Sequence, residues 1–155
     1  MKEQIKEHWK LIIFLFIVTF FILQLFVVSP CLAIGESMYP TLANGDIQLI
    51  IHNNKNIERY DIIGVYIDKK LCVKRVIGLP GETIQYKNNK LYIDEKEIED
   101  KYFNDMNDYG MLSEPVTLKN DEYIVLGDNR NNSKDCRIWG PIKKENIKGK
   151  LLLSE

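Results

Sequence analysis

The chain has 155 residues, room for one ordinary domain plus a short appendage but not for several globular units. Its 21 Lys and Arg stand against 22 Asp and Glu, a formal net charge of -1, which excludes the basic field that binds nucleic acid through its phosphates. Three cysteines (Cys31, Cys72, Cys136) without a C-x-x-C pair, and two histidines (His8 and His52), argue against a zinc site and a disulfide framework, so no metal and no cofactor is expected.

The hydrophobicity is concentrated at one end. Leu11 to Val28 reads LIIFLFIVTFFILQLFVV, 18 residues of which 16 are apolar, and no charge appears between Lys10 and Glu36. As a helix the run extends about 27 Å, close to the ~30 Å hydrocarbon thickness of a bilayer. A buried core helix would carry a polar stripe, and this run has none. The apolar region of a cleaved signal peptide is usually shorter, about 7–15 residues. Pro30 before Cys31 also fits a lipidation site poorly. The expectation is an uncleaved anchor over residues 11–29. Lys2, Lys6 and Lys10 precede it, and beyond it no Lys or Arg occurs until Lys55. That asymmetry keeps residues 1–10 cytoplasmic and puts residues 30–155 outside.

Beyond Pro30 the helical period gives way to short β runs. Strands are expected at Asp46–His52, Asp61–Ile67, Leu71–Ile77, Thr83–Tyr86, Leu91–Ile93, Glu122–Leu126 and Gly149–Leu153. Asn88-Asn89 reads as a two-residue hairpin turn, since Asn tolerates positive φ; Asp94–Lys96 reads as a second tight turn and Pro80-Gly81 as another. Residues 99–120 show no clean period and read as a long surface excursion. The fold class is mainly β, with little helix outside the anchor.

Three stretches carry candidate chemistry. Ser37, in Gly35-Glu36-Ser37-Met38-Tyr39-Pro40-Thr41, is a candidate nucleophile, but position 39 is Tyr, so this is not a G-x-S-x-G elbow. A Ser-His-Asp triad is ruled out: His8 is expected in the cytoplasm, and His52 reads as a solvated turn residue. A serine here would need another proton acceptor, and a lysine serves only if burial destabilises its ammonium. Lys74 fits, in Leu71-Cys72-Val73-Lys74-Arg75-Val76-Ile77, where strand alternation puts Cys72, Lys74 and Val76 on one face and Arg75 with Val73 and Ile77 on the other. On the residues alone, an apolar strand with a snorkelling lysine is the commoner explanation. The third stretch, Gly127 to Pro141, mixes glycines that permit tight turns with Asp and Arg groups that can pair locally. A bland loop could have this composition, and an ordered one could buttress a site without performing chemistry itself.

Together, the N-terminal anchor, Ser37-Met38-x-Pro-Thr41, Lys74-Arg75-Val76-Ile77-Gly78-Leu79-Pro80-Gly81-Glu82 and Gly127-Asp128-Asn129-Arg130 with Ser133, Asp135, Arg137 and Gly140 resemble the type I bacterial signal peptidases, in their compact Gram-positive-like form. The resemblance implies a β catalytic domain like that of signal peptidases and self-cleaving repressor proteases. It implies a membrane-bound endopeptidase, single-pass in the bacterial cell membrane, that removes signal peptides from exported preproteins. Carried over, Ser37 is the nucleophile and Lys74 the neutral general base; Ser133 would orient Lys74, Asp128 would pair with Arg75, and Asp135 with Arg137. The Ser37 N–H would be an oxyanion donor, while Gly35 stands where some relatives have a hydroxyl. Met38 and Pro40 would shape the turn and the neighbouring cleft, and small side chains are expected at the first and third positions before the cut. Cys136 departs from the usual Ser. The partners implied are preproteins and the lipid bilayer, and no nucleic acid. Two rivals stay open: a Ser/Lys maturation peptidase for one dedicated substrate, and a catalytically silent membrane-tethered β module.

Overall fold

Alternating and continuous apolar runs after residue 27 fold into two antiparallel sheets. The computed structural model describes residues 2–52, 56–102 and 106–152, with side chains described for 8–22 and from 27 onward. It opens with helix α1 (Lys2–Val27), whose side chains from His8 to Ile22 are all exposed. Among the described residues no helix is long and apolar enough to cross a membrane. The expected anchor at 11–29 includes the side chains of 23–26, which lie outside the described residues. Its last two positions, Val28 and Ser29, belong to the first strand instead.

The strands follow in chain order: β1 (Val28–Leu32), β2 (Ile47–Ile51), β3 (Ile62–Ile67), β4 (Lys70–Gly78), β5 (Thr83–Lys87), β6 (Lys90–Ile93), β7 (Lys96–Ile98), β8 (Val116–Thr117), β9 (Glu122–Leu126), β10 (Ile142–Lys143) and β11 (Ile147–Leu152). A four-residue helix, α2 (Cys136–Trp139), precedes β10. The large sheet runs β1-β2-β11-β3-β4-β9-β10 and the small one β7-β6-β5-β8. All seven expected strands are present. β1, β7, β8 and β10 escape a period-based reading because each is short, or, in β1, interrupted by Pro30 at a sheet edge where its missing N–H is tolerated.

Turn chemistry sets the hairpins. Asn88 and Asn89, Asp94 and Glu95, and Asp68 and Lys69 all take positive φ, the conformation that two-residue turns demand. β4 changes partner along its length. Lys70 to Arg75 pair with β3, whereas β9 joins on the other side only from Arg75 to Gly78. Lys74 therefore sits at the last position of β4 before its second neighbour begins.

Two apolar clusters hold the sheets. The larger gathers Ile63, Val65, Val76, Ile84, Leu91, Ile124 and Leu126 with their neighbours. The smaller collects Cys31, Ala33, Met38, Leu42, Ile50, Ile62 and Leu151, packed by Leu71 and Val73. The segment expected as a surface excursion is tied into the larger cluster instead. Met106, Leu112 and Leu118 are buried, and Asp100 pairs with the fully buried Arg130 at 2.6 Å. Its apolar residues are spaced too irregularly to announce this; residues 103–105 lie outside the described residues. Arg130 also bonds Tyr86 Oη at 3.1 Å and, through Nε, the Gly127 carbonyl at 2.9 Å.

Because Asp100 is the only carboxylate on that buried guanidinium among the described residues, Asp100→Ala leaves a charge without its partner. The expected cost is about 3–5 kcal/mol of unfolding free energy, read as a lowered urea midpoint for the full chain in detergent.

Candidate active site

The Ser37 turn is pinned before it is functional. Met38 and Leu42 bury their side chains in the smaller cluster, and the Leu42 N–H donates to the Met38 carbonyl at 2.9 Å. Burial at 38 and 42 leaves Ser37, between them and the exposed Gly35 and Glu36, at the mouth of a cleft. That cleft has a volume of about 340 Å³ and runs between Leu32–Gly35 on one wall and Leu71–Lys74 on the other. Lys134 and Trp139 close it.

Lys74 Nζ lies 2.7 Å from Ser37 Oγ. The lysine is only 4% exposed. Burial destabilises its ammonium and pulls its pKa below that of an ordinary amine; the surrounding Asp135, Cys72, Asp128 and Cys136 oppose that shift without reversing it. None of these groups forms an ion pair with it among the described residues.

The two expected ion pairs are both formed. Arg75 donates from Nε to Asp128 Oδ1 (2.7 Å) and from Nη2 to Asp128 Oδ2 (2.6 Å), a two-pronged contact that fixes both side chains. Its Nη1 reaches the Tyr60 carbonyl at 2.8 Å, and its guanidinium stacks 3.4 Å from the centre of the Tyr102 ring. Arg137 donates from Nε to Asp135 Oδ1 (2.8 Å) and from Nη2 to Oδ2 (2.9 Å), and from Nη2 also to the Arg130 carbonyl (2.6 Å). Asp135 caps α2 by accepting from the Arg137 N–H and also accepts from the Gly127 N–H at 3.1 Å. The loop from Gly127 to Arg137 is thus cross-braced from inside.

That loop is also bolted to the Ser37 turn. The Asn129 N–H donates to the Ser37 carbonyl at 3.0 Å. The Thr41 hydroxyl donates to Asp128 Oδ2 at 2.6 Å, and Asn132 Nδ2 to Glu36 Oε2 at 3.3 Å. Gly127 makes the approach possible: a Cβ there would lie 2.4 Å from the Ser37 carbonyl oxygen and 2.3 Å from Ser133 Oγ.

Two expectations need correction. Ser133 does not hydrogen-bond Lys74; its hydroxyl donates to the Lys134 carbonyl at 3.5 Å, and its own carbonyl accepts from Arg137 Nη2. Lys74 is instead close enough to Ser37 to bond it directly. Pro40 is exposed and is not among the cleft walls; it stays in the turn, after a cis Tyr39–Pro40 peptide bond. Gly35 does line the cleft, but its N–H is taken by Asn44 Oδ1 at 2.8 Å. Met38 is found where expected, in the cleft floor. His52 bonds Ser29 Oγ at 2.9 Å and is not a cleft residue. Cys136 is fully buried, a free thiol that burial pushes up to about 12, and Cys72 lines the cleft as a second free thiol.

Sequence reasoning assigned no role to Thr41, Asn129 or Arg130, although all three stand in the motifs it singled out. It missed Asp100 and Tyr102, since nothing local ties the first to Arg130 in the later loop or the second to Arg75 in β4, and it gave Trp139 no role of its own.

The comparisons bear on this geometry. A family model described as signal peptidase, peptidase S26, matches residues 5–154. The chain belongs to that family. It is 33% identical to signal peptidase IB of Staphylococcus aureus (strain COL), over 97% of this chain and 89% of the relative. It is 34% identical to signal peptidase I S of Bacillus subtilis (strain 168), over 96% and 87%. A crystal structure of a signal peptidase I from Enterococcus faecalis V583 superposes with a TM-score of 0.53 at 31% identity, covering 63% of this chain and 98% of that one. This member of the signal peptidase family is accordingly a hydrolase, a serine endopeptidase on a mainly β fold.

The tight approach at Gly127 yields a test. Gly127→Ala pushes the Ser37 carbonyl and Ser133 apart, and a shift of about 1 Å at a reacting group costs roughly 100-fold in rate. The expected result is a kcat lowered about 100-fold in a steady-state peptide assay. Thr41→Val, which removes the hydroxyl on Asp128, lowers kcat in the same direction, and Thr41→Ser restores it.

Proposed function

We propose that this chain is a membrane-bound peptidase that removes N-terminal signal peptides from exported preproteins, with Ser37 as nucleophile and Lys74 as general base. One observation carries the reading: a buried amine at hydrogen-bonding distance from a serine hydroxyl, at the floor of an open cleft. An amine kept neutral by desolvation has the lone pair that an exposed lysine lacks at neutral pH.

The steps follow from the contacts. The Ser37 hydroxyl donates its proton to Lys74 Nζ as Oγ attacks the scissile carbonyl. The ammonium so formed gives the proton to the departing amine, and the peptide downstream of the cut leaves. A water, deprotonated by the regenerated neutral Lys74, then attacks the acyl-enzyme and releases the upstream fragment. The Ser37 N–H, which has no acceptor among the described residues, faces the developing oxyanion. Gly35 adds no donor, because it lacks a hydroxyl and its N–H is spent on Asn44. Arg75, Asp128, Asp135 and Arg137 act by holding the loop that positions Ser37, and Ser133 contributes to that loop and not to Lys74.

Apolar walls at Ala33, Leu42, Leu71 and Val73, around a cleft of about 340 Å³, suit small side chains before the cut. The membrane reading rests on the run from Leu11 to Val28 and on the exposure of its apolar side chains through Ile22. It places residues 1–10 in the cytoplasm and the β domain outside. Leu32 and Ile34, exposed beside the cleft, would bring the site to the bilayer surface, where its substrates are tethered.

In detergent, with a preprotein substrate, Ser37→Ala and Lys74→Ala are each expected to lose at least about a thousandfold in turnover while retaining the far-ultraviolet circular dichroism of the parent. Substantial cleavage by either variant rejects the mechanism. The sign of the pH effect is fixed by Lys74: its amine must be neutral, so kcat/KM rises with pH through the lowered pKa and levels off above it. A profile already flat from mildly acidic pH upward counts against Lys74 as the base.

A further inference from the structure

One charge stands alone at the cleft. No Asp or Glu lines it, and its two basic residues are Lys74 and Lys134. Lys74 is buried against Ser37 Oγ and neutral in the proposed mechanism. Lys134 is exposed, and its ammonium has no hydrogen-bond or ion-pair partner among the described residues. The carboxylates closest to it in the site are engaged elsewhere. Asp135 is committed to Arg137 and to the Gly127 N–H, and Glu36 accepts from Asn132 and is not a cleft residue. The loop that carries Lys134 is braced from inside and bonded to the Ser37 turn, so its backbone keeps a fixed place relative to the nucleophile.

Burial sorts the cleft lining into a floor and a rim. Ala33, Met38 and Leu42 are buried and form the floor, whereas Leu32, Ile34 and Lys134 are exposed and stand at the rim. A peptide held extended between the walls sends successive side chains to opposite faces. In the peptidase reading the first and third side chains before the cut take the apolar floor, which leaves the second facing the rim. There the candidates differ by charge. A carboxylate meets an ammonium that lacks a counter-ion, a lysine or arginine meets a like charge, and a neutral side chain meets neither. The chain as a whole has a formal net charge of -1 and does not draw in acidic peptides, so any such preference has a local source.

We propose that Lys134 is a specificity-determining residue, which pairs with an acidic side chain at the second position before the cut and disfavours a basic one there. The assignment rests on the peptidase reading above and adds a second criterion to it: the apolar floor measures size, and Lys134 measures charge. An exposed pair of this kind is worth a few-fold in affinity, so Lys134 grades substrates without deciding whether the reaction occurs. The pair forms as the peptide docks and persists through the chemical step, so the gain falls on KM and not on kcat. It is also screened by salt, as apolar contacts on the floor are not.

The test uses the full chain in detergent and three synthetic peptides of one cleavage sequence, which differ only in carrying Glu, Gln or Lys at the second residue before the cut. Cleavage is measured on the parent chain, and affinity on Ser37→Ala by fluorescence polarisation of labelled peptide. The expected order of kcat/KM is Glu, then Gln, then Lys, with about threefold between neighbours at low ionic strength, carried by KM. At ~1 M salt, where the screening length is about 3 Å, the three peptides converge. Lys134→Gln removes the order, Lys134→Glu inverts it and Lys134→Arg keeps it, with the Gln peptide as the internal reference in each variant. Equal kcat/KM values for the three peptides overturn the proposal. So does an order that persists in Lys134→Gln, or one that is as large when the same substitutions are made at the first residue after the cut. The expected order of affinities without cleavage by the parent chain would leave Lys134 standing as the charge-selecting residue and reject the peptidase mechanism instead.

Discussion

The withdrawal of one amine from water is the constraint on which the proposed mechanism depends. A lysine in water is charged, and in that mechanism a charged Lys74 could not accept the Ser37 proton. The fold supplies the desolvation by setting Lys74 in a strand packed on both faces, where desolvation outweighs the nearby acids that would favour its charge. The acids are present but engaged elsewhere: Asp128 with Arg75, Asp135 with Arg137. Pairing those carboxylates with arginines is what leaves the lysine with a hydroxyl as its hydrogen-bond partner.

The first of those pairs has a second effect, because it also spans a gap in the backbone. Arg75 comes from β4, Asp128 from the loop after β9, and Thr41 from the turn that carries Ser37, so one small buried cluster joins three segments. Arg130 and Arg137 then hold the loop by donating to its carbonyls, with no buried side-chain polar atom left unpartnered among the described residues. Such networks are worth having only when complete, since a single missing partner exposes the desolvation cost of the rest. Their completeness here explains how a loop rich in Asn, Asp and Arg, a composition typical of solvated turns, becomes the rigid half of an active site.

Much of this was legible in the residues. The long strands announced themselves by apolar runs bounded by turn residues, and Asn88-Asn89 marked its hairpin because few other pairs accept two positive φ values. Lys74 stood out by its apolar neighbours, and both arginine–aspartate pairs followed from a resemblance in motif. What failed had physical causes. Strands of two or three residues carry no period. Pro40 and Ser133 belong to the right motifs, but Pro40 is exposed outside the cleft and the Ser133 hydroxyl bonds the Lys134 carbonyl, and orientation within a loop is decided by close packing such as that at Gly127, which spacing does not encode. Asp100 could not be connected to Arg130 from sequence, because a pairing between distant segments leaves no local signature.

The segment around Asp100 has one more implication. Asp100 neutralises Arg130 and, two residues on, Tyr102 covers Arg75, so a stretch remote from Ser37 in the chain grips both halves of the machinery from outside. A single nick between residues 98 and 102 would loosen two arginines at once while leaving Ser37 and Lys74 covalently intact. The working lifetime of the protein would then be governed by wear on this remote segment, not by damage at Ser37 or Lys74.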